Sequence, residues 1–170
     1  MINYMQSVIN DMLYTPYESI YPILKYIPKT GSVWECTDCG KSKIAEVLKE
    51  KGYKVYSSDI VGGFDFLKDK PDFEFDMIIT NPPYSLKDNF IEKCYEYNKP
   101  WGLLLPLTAL EGVKRGNMFR EKGVSLIVFD RRADFTGKGA NWFNSSWFLY
   151  NMPLGNEKLI FEKMEVKGKQ

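Results

Sequence analysis

Four consecutive residues, Asn81-Pro82-Pro83-Tyr84, carry the sharpest chemical signal in the chain. They follow directly on Asp76-Met77-Ile78-Ile79-Thr80, a near-continuous apolar run of the kind found in buried parallel strands. Two successive prolines remove two backbone donors and fix φ at both positions, so the chain is held as a rigid extended corner with its carbonyls turned outward. Asn81 adds a side-chain acceptor and Tyr84 a flat aromatic face. That set suits a planar group carrying an NH₂. The Asn81 side chain and the Pro82 carbonyl can each accept one amino hydrogen, which draws the nitrogen lone pair out of conjugation and aims it at a methyl donor. Tyr84 can stack on the ring, as extruded bases are held between aromatic or apolar side chains. Methyl transfer to nitrogen can precede proton loss, so no strong general base is required. The chain contains no histidine, which excludes Ser-His-Asp and Cys-His chemistry and costs this reaction nothing.

Such a corner must be positioned by regular elements. Asn3 to Leu13 reads as a short helix. Thr15-Pro16-Tyr17-Glu18 reads as a helix start, with Thr15 as N-cap, Pro16 at the first helical position and Glu18 completing a capping box. The spacing of Ile20, Ile23, Leu24 and Ile27 buries one face, and Pro28 and Gly31 end that helix. Ser32 to Cys36 reads as a buried strand, Lys43 onward as an amphipathic helix closed by Gly52, and Lys54 to Ser58 as a second strand ending at Asp59. After the Asp76–Thr80 strand, a helix is expected over Leu86–Tyr97, a strand over Trp101–Leu105 and a helix over Ala109–Lys122. Strands follow over Val124–Phe129 and Trp147–Tyr150, with a last amphipathic strand from Lys158 to Phe161. Alternation of this kind means a doubly wound α/β sheet, whose ligands bind beyond the carboxyl ends of the strands. Glu35, Gly40, Asp59, Asn81 and Pro106 all fall at such ends.

At 170 residues, with 44% hydrophobic and 26% charged residues, the chain reads as one globular domain over 1–170 with no separate target-recognition domain. No apolar run approaches a membrane span and the first residues lack the pattern of a signal peptide, so a cytoplasmic protein with no membrane partner is expected. Three cysteines, Cys36, Cys39 and Cys94, form neither a disulfide framework nor a complete zinc site, and no metal is expected. The net charge of +1 supplies no general basic excess for holding a polynucleotide, so affinity for one must come from a local patch, a dimer or a partner.

The chain from Tyr14 to Tyr150 resembles the amino-methyltransferases that carry Asn-Pro-Pro-Tyr, and more narrowly the small phage- and prophage-type adenine-N6 methyltransferases. The resemblance implies a Rossmann-like fold dependent on S-adenosylmethionine (AdoMet). Its sheet would be mostly parallel, with an antiparallel strand near the C-terminal edge. Too few residues separate Asp59 from Asp76 for a helix and a full strand, so the usual third strand is abbreviated or missing. Thr15-Pro16 resembles the element touching the cofactor's methionine moiety, and Glu35 with Gly40 the acidic first loop. Asp59-Ile60 resembles the ribose-binding strand end, Asp65-Phe66 the pair that contacts the cofactor's adenine, and Asn81 a residue shared by cofactor and catalysis. The catalytic set implied is Asn81, Pro82, Pro83 and Tyr84. An acidic strand end like Asp59, about 20 residues past a glycine loop, is where dinucleotide folds also bind ribose.

The first loop departs from that pattern. Ser42 stands where a second glycine is usual and lacks glycine's freedom at positive φ. Gly40-Lys41-Ser42 is not a nucleoside-triphosphate loop, because Glu35 occupies the position of its first glycine. On the substrate side, Arg131, Arg132 and Lys138 are candidates for phosphates, and Phe135, Trp142 and Phe143 for stacking on bases; a solvated basic loop with its aromatics folded inward has the same composition. Tyr84, Arg132, Phe135 and Trp142 are the substrate-binding candidates. Lys114, Arg115, Arg120 and Lys122 read as a solvated helix face. DNA is the expected substrate. The same motif also serves RNA adenine and protein glutamine methyltransferases, and the altered loop leaves open a domain that binds a partner without turnover. Sequence specificity would come from short loops, a homodimer or a second protein.

Overall fold

The computed structural model describes residues 14–135 and 144–164. Its centre is a seven-stranded sheet ordered β2-β1-β3-β4-β6-β5-β7. The strands are β1 (Ser32–Glu35), β2 (Lys54–Ser57), β3 (Met77–Thr80), β4 (Trp101–Pro106), β5 (Ser125–Phe129), β6 (Ser145–Tyr150) and β7 (Leu159–Glu162). Strand β6 runs antiparallel to both β4 and β5, and every other pairing is parallel. The expected antiparallel strand is therefore present, with β7 added beyond it as the edge. Glu162 of β7 ties that edge back to the rest, accepting from Lys25 at 2.7 Å and Tyr26 at 2.6 Å.

Side chains of successive strand residues point to opposite faces, and here both faces are buried. Val33, Met77, Ile79 and Leu104 pack with Ile20, Ile23, Ile44 and Leu48, the last two carried by α2 (Lys43–Glu50). Trp34, Ile78, Leu103 and Leu105 pack on the other face with Phe90, Ile91 and Cys94 of α3 (Lys87–Tyr97). Continuous burial on both sides is why these strands read as apolar runs. Gly102 lies where the sheet leaves no room. A Cβ there would stand 2.7 Å from Ile23 Cδ1 and 3.1 Å from Ile79 Cδ1.

Two expected helices differ. Thr15 does not cap the first one. Helix α1 is only Tyr17–Ile20, its N-cap is Pro16 without a side-chain cap bond, and it tightens into a 3₁₀ turn over Tyr21–Lys25. The expected Ala109–Lys122 helix is broken. A 3₁₀ turn spans Leu107–Leu110, Gly112 adopts φ 131°, and α4 covers Val113–Lys122. Gly112 alone has the backbone freedom that this break demands.

No strand forms between β2 and β3, so β2 is the sheet edge. The connecting turns carry aromatic rings onto the face of Trp34. Phe75 lies 4.9 Å from the Trp34 ring, Phe66 5.1 Å, Phe73 5.5 Å and Phe64 5.7 Å. An aromatic cap thus replaces the missing strand, at about 0.5–1.5 kcal/mol per ring pair beyond area burial. Among the described residues, no helix is long and apolar enough to cross a membrane. The expected helix over Asn3–Leu13 lies outside the described residues.

Candidate functional site

Strands β2, β1 and β3 are parallel neighbours, with Glu35 opposite Ser57 and Trp34 opposite Ile78. Their carboxyl ends therefore align. The chain leaves β1 for β2 on one side and returns to β3 on the other, so β1 and β3 flank the switch point where a crevice opens. A cleft lies there, lined by residues that include Thr15, Glu35, Thr37, Asp59, Ile60, Asp65, Phe66, Asn81 and Pro83. Gly40 borders an adjoining hollow beside Asp59.

Glu35 is 1% exposed, and a carboxylate so buried needs donors. It has four. Oε1 accepts from the Thr37 backbone N–H and hydroxyl, both at 3.0 Å, and from the Thr80 hydroxyl, while Oε2 accepts from the Ser42 hydroxyl at 2.7 Å. The Thr37 hydroxyl also lies 3.3 Å from the backbone carbonyl of Asn81, so its one proton is shared between that carbonyl and Glu35. One buried acid thus joins the first loop to the Asn-Pro-Pro-Tyr corner. Thr37 and Thr80 were not singled out in the sequence, and Ser42 was read only as a missing glycine. The available signal was a cluster of hydroxyl residues beside a strand-ending acid, but Thr80 lies 45 positions from Glu35.

The unusual loop resolves in the same network. It turns at Gly40, φ 84°, with Asp38 Oδ1 accepting from the backbone N–H groups of Gly40 and Ser42. Ser42 takes an ordinary φ of −70° and caps α2 by accepting from Ala45 N. Its hydroxyl donates to Glu35 and accepts from the helix, so no second left-handed residue is needed.

Burial raises the Glu35 carboxyl above its ordinary value, against hydrogen bonds from Thr80, Ser42 and Thr37 that pull it down. The folded state then holds the proton more tightly than the unfolded chain, whose glutamate titrates at about 4.3. On this account stability falls as pH rises from the unfolded value through the folded one. Glu35→Gln removes the charge and keeps the shape. Denaturant unfolding across that pH range should show the stability of the variant relative to the parent increasing with pH. A pH-independent difference would mean that the charge is not what burial penalises.

Asp59 is 7% exposed. Its Oδ1 accepts from Gly62 N at 2.7 Å, but its buried Oδ2 has no partner among the described residues. A half-satisfied buried carboxylate lining a cleft is an acceptor awaiting a hydroxyl or amine. Asn81 Nδ2 donates to Thr15 Oγ1 at 3.0 Å, bringing the two motifs together at the cleft wall. Pro82 is buried, and Tyr84 is half-buried at the start of a 3₁₀ turn, Tyr84–Leu86. Pro16 is buried.

Other candidates already have partners within the chain. Asp65 closes its own turn, accepting from Leu67 N at 3.0 Å and Lys68 Nζ at 2.6 Å. Phe66 stacks on Phe90 at 4.9 Å and is 3% exposed, so it meets the cleft as part of its wall. Phe135 is folded inward with Ile127, Phe129 and Ala133, leaving no ring face for a base. Arg131 pairs with Asp130 at 3.2 Å, and exposed Arg132 donates to Asn144 at 2.8 Å. Lys138, Trp142 and Phe143 lie outside the described residues. Cys36, Cys39 and Cys94 are free thiols, and burial pushes Cys36 and Cys94 up.

Among solved structures, the chain is similar to a type I restriction-modification methyltransferase subunit from Streptococcus thermophilus (TM-score 0.60, 15% identity, covering 89% of this chain and 47% of that one). It is also similar to a class I S-adenosylmethionine-dependent methyltransferase from Listeria monocytogenes (TM-score 0.58, 16% identity, covering 90% and 66%). The fold is that of AdoMet-dependent methyltransferases. A modification subunit of a type I restriction enzyme from Vibrio vulnificus YJ016 gives a TM-score of 0.51 at 12% identity, covering 100% of this chain and 51% of that one. The chain thus spans about half the length of the two restriction-system subunits. No family model and no curated protein sequence matches it.

Proposed function

We propose that this protein is an AdoMet-dependent methyltransferase that methylates the exocyclic N6 amino group of adenine in DNA. One observation carries the reading: the Asn81 corner and the half-satisfied carboxylate of Asp59 open into a single cleft at the sheet's switch point. The residues fit the cofactor. Asp59 Oδ2 would accept from the ribose hydroxyls, and Glu35, Thr15, Gly40, Ile60 and Asp65-Phe66 would surround the remainder. When bound, AdoMet supplies a methyl group on a positively charged sulfur. The chain's own part is to hold the amine. Asn81 and the Pro82 carbonyl would accept its two hydrogens and Tyr84 would stack on the ring, leaving the nitrogen lone pair directed into the cleft. The corner needs no histidine.

The kinship in fold with restriction-system methyltransferase subunits favours a nucleic-acid amine over a protein carboxamide. The integration of Ser42 into the Glu35 network weighs against a domain without turnover. Arg132 and Trp142 remain the proposed nucleic-acid contacts. Specificity would fall to a second copy or a separate specificity protein. The test is to incubate the protein with labelled AdoMet and, separately, duplex DNA, single-stranded DNA, tRNA, rRNA and cell-extract protein, then digest and identify the labelled unit. N6-methyladenine in DNA is the expected product. Label confined to RNA would overturn the DNA assignment, and methylglutamine would overturn the substrate class.

A further inference from the structure

We infer that Thr15 is a positioning residue that locks the Asn81 carboxamide in its working orientation, an inference that rests on the amine-binding reading of the corner. The local sequence equips Thr15 to cap a helix, since Thr-Pro-Tyr-Glu carries every signal of a helix start. The cap bond is absent. The hydroxyl is turned instead across 66 positions of sequence to accept from Asn81 Nδ2 at 3.0 Å. A residue that gives up a favourable local contact for a distant one marks where the fold demands precision.

The surroundings make the contact stiff. Thr15 is 6% exposed, and Pro16 behind it has φ −70°, fixed by its ring. On the other side, the Asn81 backbone carbonyl lies within reach of the Thr37 hydroxyl, on a residue whose backbone N–H is anchored on Glu35. Asn81 is thereby held by its side chain from one element and by its main chain from another. A carboxamide has two chemically unlike edges. With Nδ2 bound to Thr15, one orientation of the carboxamide is favoured and Oδ1 is the edge turned away from Thr15. A free rotor would present a donor half the time, and a donor repels the amino hydrogens that it should accept.

Thr15→Val removes the hydroxyl and keeps the shape, while Thr15→Ser keeps the hydroxyl. Small displacements of a reacting group cost up to about 10²-fold in rate. With saturating AdoMet and a methylatable adenine substrate, Thr15→Val should lower kcat by about 10–10²-fold and leave KM for AdoMet within about 3-fold, and Thr15→Ser should recover most of the rate. A raised KM for AdoMet with kcat unchanged would mean that the Thr15 hydroxyl serves the cofactor rather than Asn81 and would overturn the inference, as would failure of serine to rescue. A second measurement does not depend on turnover. In ¹⁵N-labelled protein, the Asn81 side-chain amide protons should exchange slowly in the parent and in Thr15→Ser, and faster in Thr15→Val. Equal exchange in all three would sink the positioning role. If the parent transferred methyl to no amine while this exchange pattern held, the functional reading would fall and the lock would stand.

Discussion

Asn81→Ala is expected to lower methyl transfer by about 10²–10³-fold, the loss found when one preorganised polar group is removed from a reacting centre. AdoMet affinity should stay within a few-fold and thermal stability close to that of the parent. Asn81 stands at the carboxyl end of β3, next in the sheet to Glu35 and two strands from Asp59, and its backbone is held by Pro82, Pro83 and the Thr37 hydroxyl. Alanine leaves that main-chain frame in place and deletes only the acceptor that orients the amine. Single-turnover methylation with AdoMet bound in advance, beside calorimetric measurement of AdoMet binding, separates the two effects. A parent-like rate in Asn81→Ala would mean that the amine is oriented from elsewhere, and the corner would lose its chemical role. A loss carried wholly by AdoMet affinity would make Asn81 a cofactor ligand.

What could be read in advance follows from how far apart the interacting groups lie in sequence. The strands around Val33-Trp34, Met77–Ile79 and Leu103–Leu105 were legible because burial on both faces makes each an apolar run. The Asn-Pro-Pro-Tyr corner was legible because its residues are adjacent and proline's restriction is intrinsic. Ser42 looked like a defect because the sequence shows only that it is not glycine. That its hydroxyl caps α2 and also satisfies Glu35 depends on a fold bringing β1 beside that helix. Thr15 misled for the converse reason, since a strong local preference was overridden by a partner on β3's far end. Of the loop residues Phe64, Phe66, Phe73 and Phe75, only Phe66 was singled out in the sequence, as an adenine contact. Only the absence of a third strand, which exposes the flank of Trp34, explains why that loop needs four phenylalanines.

Asp59→Asn provides the sharpest test of where the cofactor sits, because it should lower AdoMet affinity without lowering the stability of the unliganded protein. In the protein without AdoMet, Asp59 keeps a buried oxygen that no described residue satisfies, an arrangement that burial penalises. Asparagine can keep the bond from Gly62 N through its own Oδ1 while cancelling the charge. The unliganded variant should therefore melt no lower than the parent. In the AdoMet complex, the variant offers an NH₂ where the ribose hydroxyls need an acceptor. Hydrogen bonds to charged groups contribute about 1.5–3 kcal/mol, so the dissociation constant for AdoMet should rise by roughly 10–10²-fold. The upward shift in melting temperature that saturating AdoMet gives the parent should shrink accordingly. A carboxylate that merely shaped the 59–63 loop would behave otherwise: its loss would lower the melting temperature and leave AdoMet affinity alone. Stability held and affinity lost is the combination that only an acceptor reserved for a ligand produces.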